Sequence, residues 1–278
     1  MEPPPFGQFG ETKLMHAATL GQSNVVESLL AEARDKNVDE RDALGETPLM
    51  FAAKTGQVDI VNILLSHGAH AKARDDRGGS ALALAAAQGH MPVVEVLFQY
   101  GADFNACMET DGMPGPESAT VLMFAAFGGH TEVVTNLIQW GVKVNLRDWS
   151  GGTAFTYACW RGHLETARAL LAAGADPSVK DEDGRTALIM ATLDKLEHVE
   201  VVTNLIQWGV EVNTRDKNGW TALMHACRRG FVETAKALLA AGADATVSTD
   251  DGKTALTLAE QAKNPELVSL LKQKTGVP

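Results

Sequence analysis

Histidines, cysteines and a set of tryptophans beside arginines are the residues of this 278-residue chain that could carry chemistry. The first two would serve as metal ligands, acid–base groups or nucleophiles. Cys107, Cys159 and Cys227 are an odd number and widely spaced, and none sits in a CxxC pair or a Cys/His ligand cluster. Neither a zinc site nor a disulfide framework is predicted, and the thiols point to a reducing compartment, the cytosol. Cys159 and Cys227 stand at equivalent places two repeats apart, where small buried thiols are expected rather than reactive ones. His90, His130 and His163 each follow a glycine, and His16 and His225 share another recurring place. Histidines that recur with a repeat read as scaffold with a local hydrogen bond, not as catalytic or metal-binding groups. No P-loop, GxSxG, HExxH or dinucleotide fingerprint occurs, so no enzyme, metal or cofactor is predicted. Tryptophan and arginine, by contrast, are the residues of binding hot spots, and their chemistry is recognition rather than turnover.

These residues are positioned by a repeat. The pattern Thr-x-Leu/Phe, an Ala-rich stretch and Gly nine residues after the Thr recurs as "TKLMHAATLG", "TPLMFAAKTG", "SALALAAAQG", "TVLMFAAFGG", "TAFTYACWRG" and "TALMHACRRG". "TALIMATLDK" and "TALTLAEQAK" are degenerate copies. The anchors Thr12, Thr47, Ser80, Thr120, Thr153, Thr186, Thr221 and Thr254 are spaced by 35, 33, 40, 33, 33, 35 and 33 residues. A period near 33 means an array of stacked units.

Each copy predicts two short helices and a turn. Thr47 can cap the first helix, with Pro48 at its first position, where a missing N–H costs nothing. Leu49, Ala52 and Ala53 follow at helical spacing, and Gly56 ends the helix. Val58, Val61, Leu64 and Leu65 give the second helix its apolar face, and Gly68 supplies a left-handed cap. The polar stretch that follows is turn chemistry. Helices of about ten residues are marginal alone, so each unit must bury its face on its neighbours, the physics of a solenoid.

At these residues the chain resembles the ankyrin repeat family, in "DALGETPLMFAAKTGQVDIVNILLSHGAHAKARD" and its copies and in the ending "GADFN". The resemblance implies a mainly α ankyrin-repeat solenoid of stacked helix–turn–helix units with short β-hairpins, which binds other proteins on a concave face. About eight repeats are expected in one solenoid over residues 11–272, starting near 11, 46, 79, 119, 152, 185, 220 and 253. A flexible leader (1–10), a tail (273–278) and an enlarged hairpin at 107–119 complete the plan. Met15, Met50, Met123 and Met224 replace a histidine frequent in the family, and the sixth copy lacks the glycine after its first helix. Glu260, Gln261, Lys263 and Lys272 give the last copy the polar face of a cap.

Lys plus Arg is 24 and Asp plus Glu is 35, a net charge of −11, which argues against nucleic acid as the main partner. No apolar run approaches the ~20 residues of a membrane helix, and the N-terminus has no secretory signal, so no membrane is predicted. Cytoplasmic residence and a monomer by default are expected. The acidic runs "KDEDG" and "STDDG" read as solvated hairpin tips, or as a negative rim favouring a basic partner segment.

An internal duplication points to the surface that matters. Residues 131–188 align without gaps onto 199–256, with 39 of 58 positions identical. In the family arrangement the groove-facing positions of the first copy are Trp149, Ser150, Gly152, Trp160, Arg161, Glu182, Asp183 and Arg185. Six of these eight differ between the copies, against thirteen of the other fifty. The resulting candidate partner site comprises Phe127, Trp149, Trp160, Arg161, Arg185, Trp220, Arg228 and Arg229. Trp140 and Trp208 are expected to pack. The function expected is a non-catalytic protein–protein interaction scaffold, an adaptor or inhibitor, binding another protein on the groove of its C-terminal half. An effector or substrate-recruiting module of a signalling or ubiquitin-type pathway is the alternative, and an enzyme using the groove the least favoured.

Overall fold

The computed structural model describes residues 10–32, 38–105, 107–108 and 119–276. Among them, sixteen helices follow one another in pairs. The first unit holds α1 (Lys13–Thr19) with α2 (Ser23–Glu32), α3 (Pro48–Lys54) with α4 (Val58–Ser66), α5 (Ala81–Gln88) with α6 (Met91–Gln99), and α7 (Val121–Phe127) with α8 (Thr131–Gln139). The second holds α9 (Ala154–Trp160) with α10 (Leu164–Ala172), α11 (Ala187–Met190) with α12 (Val199–Gln207), α13 (Ala222–Arg229) with α14 (Val232–Ala240), and α15 (Ala255–Gln261) with α16 (Pro265–Thr275). The chain forms two compact units, residues 1–148 and 149–278. Within each, the first helix of a pair packs on the first helix of the next: α1 on α3, α3 on α5 and α5 on α7, then α9 on α11, α11 on α13 and α13 on α15. Strand is nearly absent among the described residues. Cys107–Met108 (β1) pairs antiparallel with Ala119–Thr120 (β2), and single bridges join Arg74 to Ser80 and Ser248 to Thr254. The leader and the interior of the expected enlarged hairpin lie outside the described residues, apart from Gly10 and those two short strands.

Every anchor is an N-cap. The hydroxyls of Thr12, Thr47, Ser80, Thr120, Thr153, Thr186, Thr221 and Thr254 each accept from the N–H three residues on. Met15, Met50 and Met123 extend the cap. The Thr47 N–H donates to Met50 Sδ at 3.5 Å, a weak acceptor standing where Thr156 Oγ1 accepts the Thr153 N–H at 2.8 Å. Leu49, Ala52 and Ala53 are buried, as the periodicity predicts. On α4, Ile60 joins Val61, Leu64 and Leu65 in the core, whereas Val58, at the first turn beside the exposed Asp59, is only half-buried. Leu238 and Leu239 of α14 are buried. At the far end Glu260, Gln261 and Lys263 are exposed and Lys272 is half-buried.

His90 and His130 do not bond locally, as the sequence suggests, but reach back to the preceding pair. His90, the N-cap residue of α6, places Nε2 3.2 Å from the Lys54 carbonyl at the end of α3. His130 does the same to Ala87 at 3.0 Å, and Gln57 and Asn264 place amides at Thr19 and Gly230. A helix leaves its last carbonyls unpaired, and the next repeat supplies the donor. The ring lies over the glycine of the preceding turn. Gly56 has φ +74°, and a Cβ there would sit 2.7 Å from His90 Nδ1, so both backbone and neighbour require glycine.

The pairs around α11 break this scheme. Lacking the glycine, α11 is one turn long, and residues 191–198 form a loop. His198 bonds Asp194 of its own loop, and Asp194 in turn pairs with Arg161 of the preceding pair. Phe231 occupies the clasp position before α14 and has no donor. Arg229 takes over, its Nη2 2.6 Å from the Leu193 carbonyl, while Glu197 accepts the Thr234 N–H at 2.7 Å.

Candidate partner-binding site

An aspartate five residues before the anchor builds the turns ahead of α11 and α13 on the second unit's face, and Thr249 stands in that place ahead of α15. Asp181 Oδ1 accepts the N–H groups of Asp183 and Arg185, and Asp216 Oδ1 those of Asn218 and Trp220. These aspartates are buried, which corrects the view of the "KDEDG" run as wholly solvated. Their carboxylates are the internal frame, and Glu182 and Asp183 are the exposed tip. Successive turns are joined: Glu182 N–H donates to Ser150 O at 2.7 Å and Lys217 N–H to Asp183 O at 2.8 Å. The frame therefore presents the residues after the aspartate and the residue before the anchor.

Trp149 stands in such a turn and is 65% exposed. On α9, Phe155, Ala158 and Cys159 turn inward, which leaves Tyr157, Trp160 and Arg161 on the other side. The Tyr157 and Trp160 rings lie 6.2 Å apart at 40°. Trp149, Tyr157 and Trp160, with Met190 and Leu193 from the next pair, wall a cavity of about 210 Å³. Asp181 and Arg185 also line it and are bonded to each other, Nε to Oδ2, at 2.7 Å.

The predicted site residues divide into groups. Trp149, Trp160 and Arg185 meet in this cavity. Trp220 and Arg228 form a second cluster, with the guanidinium 5.0 Å above the indole and His225 on the ring at 5.0 Å. Arg229 reaches Leu193, a residue of the cavity wall. Phe127 is exposed at the end of α7, in the first unit. The guanidinia are engaged within the chain: Arg161 with Asp194 at 3.0 Å, Arg185 with Asp181 and with Asp183 at 2.8 Å. Burial works against the Asp194 charge, but the Lys195 N–H, His198 and Arg161 outweigh it and hold its carboxyl below the usual range.

Tyr157 and Met190 are wall residues that sequence reasoning missed, as it missed His225 against the Trp220 ring. All three stand four places after their anchor, a position read only as helix interior. The signal was present, because Tyr157 and His225 are one of the mismatched pairs of the duplication. His225 is buried, with Nε2 donating to Asp216 Oδ2 at 3.0 Å and Nδ1 unpartnered. Desolvation lowers its pKa more than the Asp216 carboxylate raises it.

Cys159 and Cys227 are fully buried, and burial pushes the thiols up, Cys227 to about 12 and Cys159 further. Neither is a nucleophile near neutral pH. Among the described residues no group of three His, Cys, Asp or Glu could hold a metal ion, and no helix is long and apolar enough to cross a membrane. Trp140 stacks on Phe98 at 4.1 Å, and Trp208 packs near Phe155 and under Arg168, so both serve packing.

A family model described as ankyrin repeats matches residues 14–108, 107–181 and 188–277, each match spanning several helix pairs. A search of the curated proteins gives no match. Capped helix pairs stacked first helix on first helix, with almost no strand, agree with that match over nearly the whole length. The chain belongs to the ankyrin repeat family, whose members generally mediate protein–protein interaction.

Proposed function

We propose that this chain is a non-catalytic cytoplasmic scaffold, an adaptor or inhibitor, that binds a partner protein on the turn-and-first-helix face of its second unit. The observation that carries this reading is the Trp149 ring, 65% exposed beside the half-buried Trp160. A large ring held at the surface by a rigid turn is seldom without use, and such rings bury area in a complex at little entropic cost. Cys159 and Cys227, the thiols of its first helices, are buried and held protonated, so neither supplies an activated nucleophile.

Affinity capture from the native cell tests the proposal, comparing the wild type with Trp220→Ala/Arg228→Ala and with Glu165→Gln on the exposed side of α10. Hot-spot truncation costs ~2 kcal/mol or more, so the double variant should bind its partner roughly thirtyfold more weakly. The Glu165 variant should bind as wild type. Equal capture by all three proteins would place the interaction on another surface.

A further inference from the structure

Three features of the cavity between α9 and the α10–α11 turn decide what it can take. The first is size. At about 210 Å³ it lies below the ~300–1,000 Å³ of cofactor and substrate pockets, yet above the ~150 Å³ that suffices for benzene in an apolar protein cavity. One side chain fits, and a nucleotide does not.

The second is polarity. Its walls are the Trp149, Tyr157 and Trp160 rings with Met190 and Leu193, and its two charged lining groups, Asp181 and Arg185, already neutralise each other. A charged group entering it would lose water and gain no counter-charge. An apolar ring would lose nothing and could pack edge-to-face on the indoles.

The third is the rim. The turn 181–185 carries three carboxylates, Asp181, Glu182 and Asp183, and Arg185 answers two of them. Glu182 is exposed at this tip, and Lys217 stands at the corresponding place on the next turn, its N–H bonded to the Asp183 carbonyl. Lys180, just before the turn, lines a different cavity with Val210 and Glu211. The 181–185 tip beside the apolar cavity is therefore acidic, while Arg229 stands at the Leu193 side.

We infer that this cavity is a socket for one apolar ring of a partner segment, with a basic residue beside that ring to meet the Glu182–Asp183 tip. The inference rests on the proposed binding face, and it names the chemistry that face selects. Trp149 is the exposed lining residue, Tyr157 and Trp160 line the cavity from α9, and Leu193 is tied to α13 by the Arg229 bond to its carbonyl.

Capped tripeptides test it on the full chain carrying ¹⁵N-labelled tryptophan. Lys-Phe-Lys should move the indole N–H signals of Trp149 and Trp160 saturably and leave those of Trp140 and Trp208 unmoved. Lys-Ala-Lys should bind at least about tenfold more weakly, since burying a phenyl ring is worth that much. Glu-Phe-Glu should also bind more weakly than Lys-Phe-Lys, with the difference shrinking in high salt. Leu193→Phe, which fills the cavity from within, should abolish the response, with unchanged Trp140 and Trp208 signals reporting an intact fold. Trp149→Leu, at an exposed position, should weaken the response read at Trp160. Equal binding of the alanine peptide, still signals at Trp149 and Trp160, or a full response from the filled variant would overturn the socket. Tighter binding of the acidic peptide would overturn the basic neighbour. Trp220 and Arg228 do not line the cavity, so the capture experiment stands or falls independently of this one.

Discussion

His225 sits where Tyr157 and Met190 sit in the two preceding pairs, and of these three residue types only histidine ordinarily changes charge between pH 5 and 8. Its proton-bearing Nε2 faces the buried Asp216 and its Nδ1 has no partner, so taking up a second proton means charging a desolvated ring that Arg228 also repels. The folded-state pKa is lowered from 6.5, hence the folded chain binds fewer protons than the unfolded one below that value. The stability His225 confers is present above pH 6.5 and is lost as pH falls toward the folded-state pKa. Urea midpoints measured at pH 7.5 and 5.5 should fall with acidification in the wild type, and fall less in His225→Gln, whose amide can keep the Asp216 bond. Trp149 makes a contrasting case. Exposed on its turn, it should be replaceable by Ala at under ~0.5 kcal/mol in a urea melt, with the loss appearing in binding instead. The cavity walls were partly legible in the sequence, because Trp149 and Trp160 are odd residues for a surface. Tyr157 and Met190 were not, since nothing local distinguishes a groove wall from a helix interior when both keep the same spacing.

At the scale of the helix pair, what could be read was what is local. A threonine, an N–H three residues on, and apolar residues at helical spacing set the start and the buried face of each first helix, and all eight caps follow. What could not be read was which group of one pair meets which group of the next. The histidine clasp, the buried turn aspartates and the Arg229 substitute for Phe231 all join residues about thirty or more positions apart or depend on how a turn folds back. Two kinds of substitution separate these levels. Leu238→Ala removes a fully buried side chain from α14 and should cost ~2–5 kcal/mol in equilibrium unfolding. His130→Ala removes a single bond between pairs and should cost ~0.5–1.5 kcal/mol. Gly89→Ala, at φ +77° and under the His130 ring, should cost at least the ~1–2 kcal/mol of a left-handed residue. Combined with His130→Ala it should cost less than the sum of the two, because removing the ring makes room for the methyl.

Over the whole molecule, charge is unevenly placed. Nineteen of the 35 acidic and ten of the 24 basic side chains precede residue 149, so the first unit holds most of the net charge of −11. The second unit, with the tryptophans, is close to neutral. Sequence-independent binding to DNA or RNA should therefore be absent in the sub-micromolar range at physiological salt, as fluorescence anisotropy with a labelled duplex would show. Weak binding at low salt, confined to the Arg228 and Arg229 region, is the most that this distribution allows. The duplication is offset by two repeats, and its first copy (131–188) straddles the limit between the units at 148 and 149. The division into units thus does not follow the repeat inheritance, and no periodicity in the sequence marks it.

The clasps of Gln57, His90, His130 and Asn264 all point one way, from the residue at the head of one second helix back to the carbonyls of the pair before it. During synthesis the N-terminal pair emerges first, and its open carbonyls stay in water until one further repeat has left the ribosome. At roughly 5–20 residues per second, a repeat of about 33 residues arrives some 2–7 seconds later. Each clasped pair is thus closed by its successor, so there growth of the fold keeps a lag of one repeat behind growth of the chain. A ribosome stalled within a repeat would hold out a pair with its last carbonyls open, whereas a cut at the N-terminal side leaves only a donor that water can satisfy.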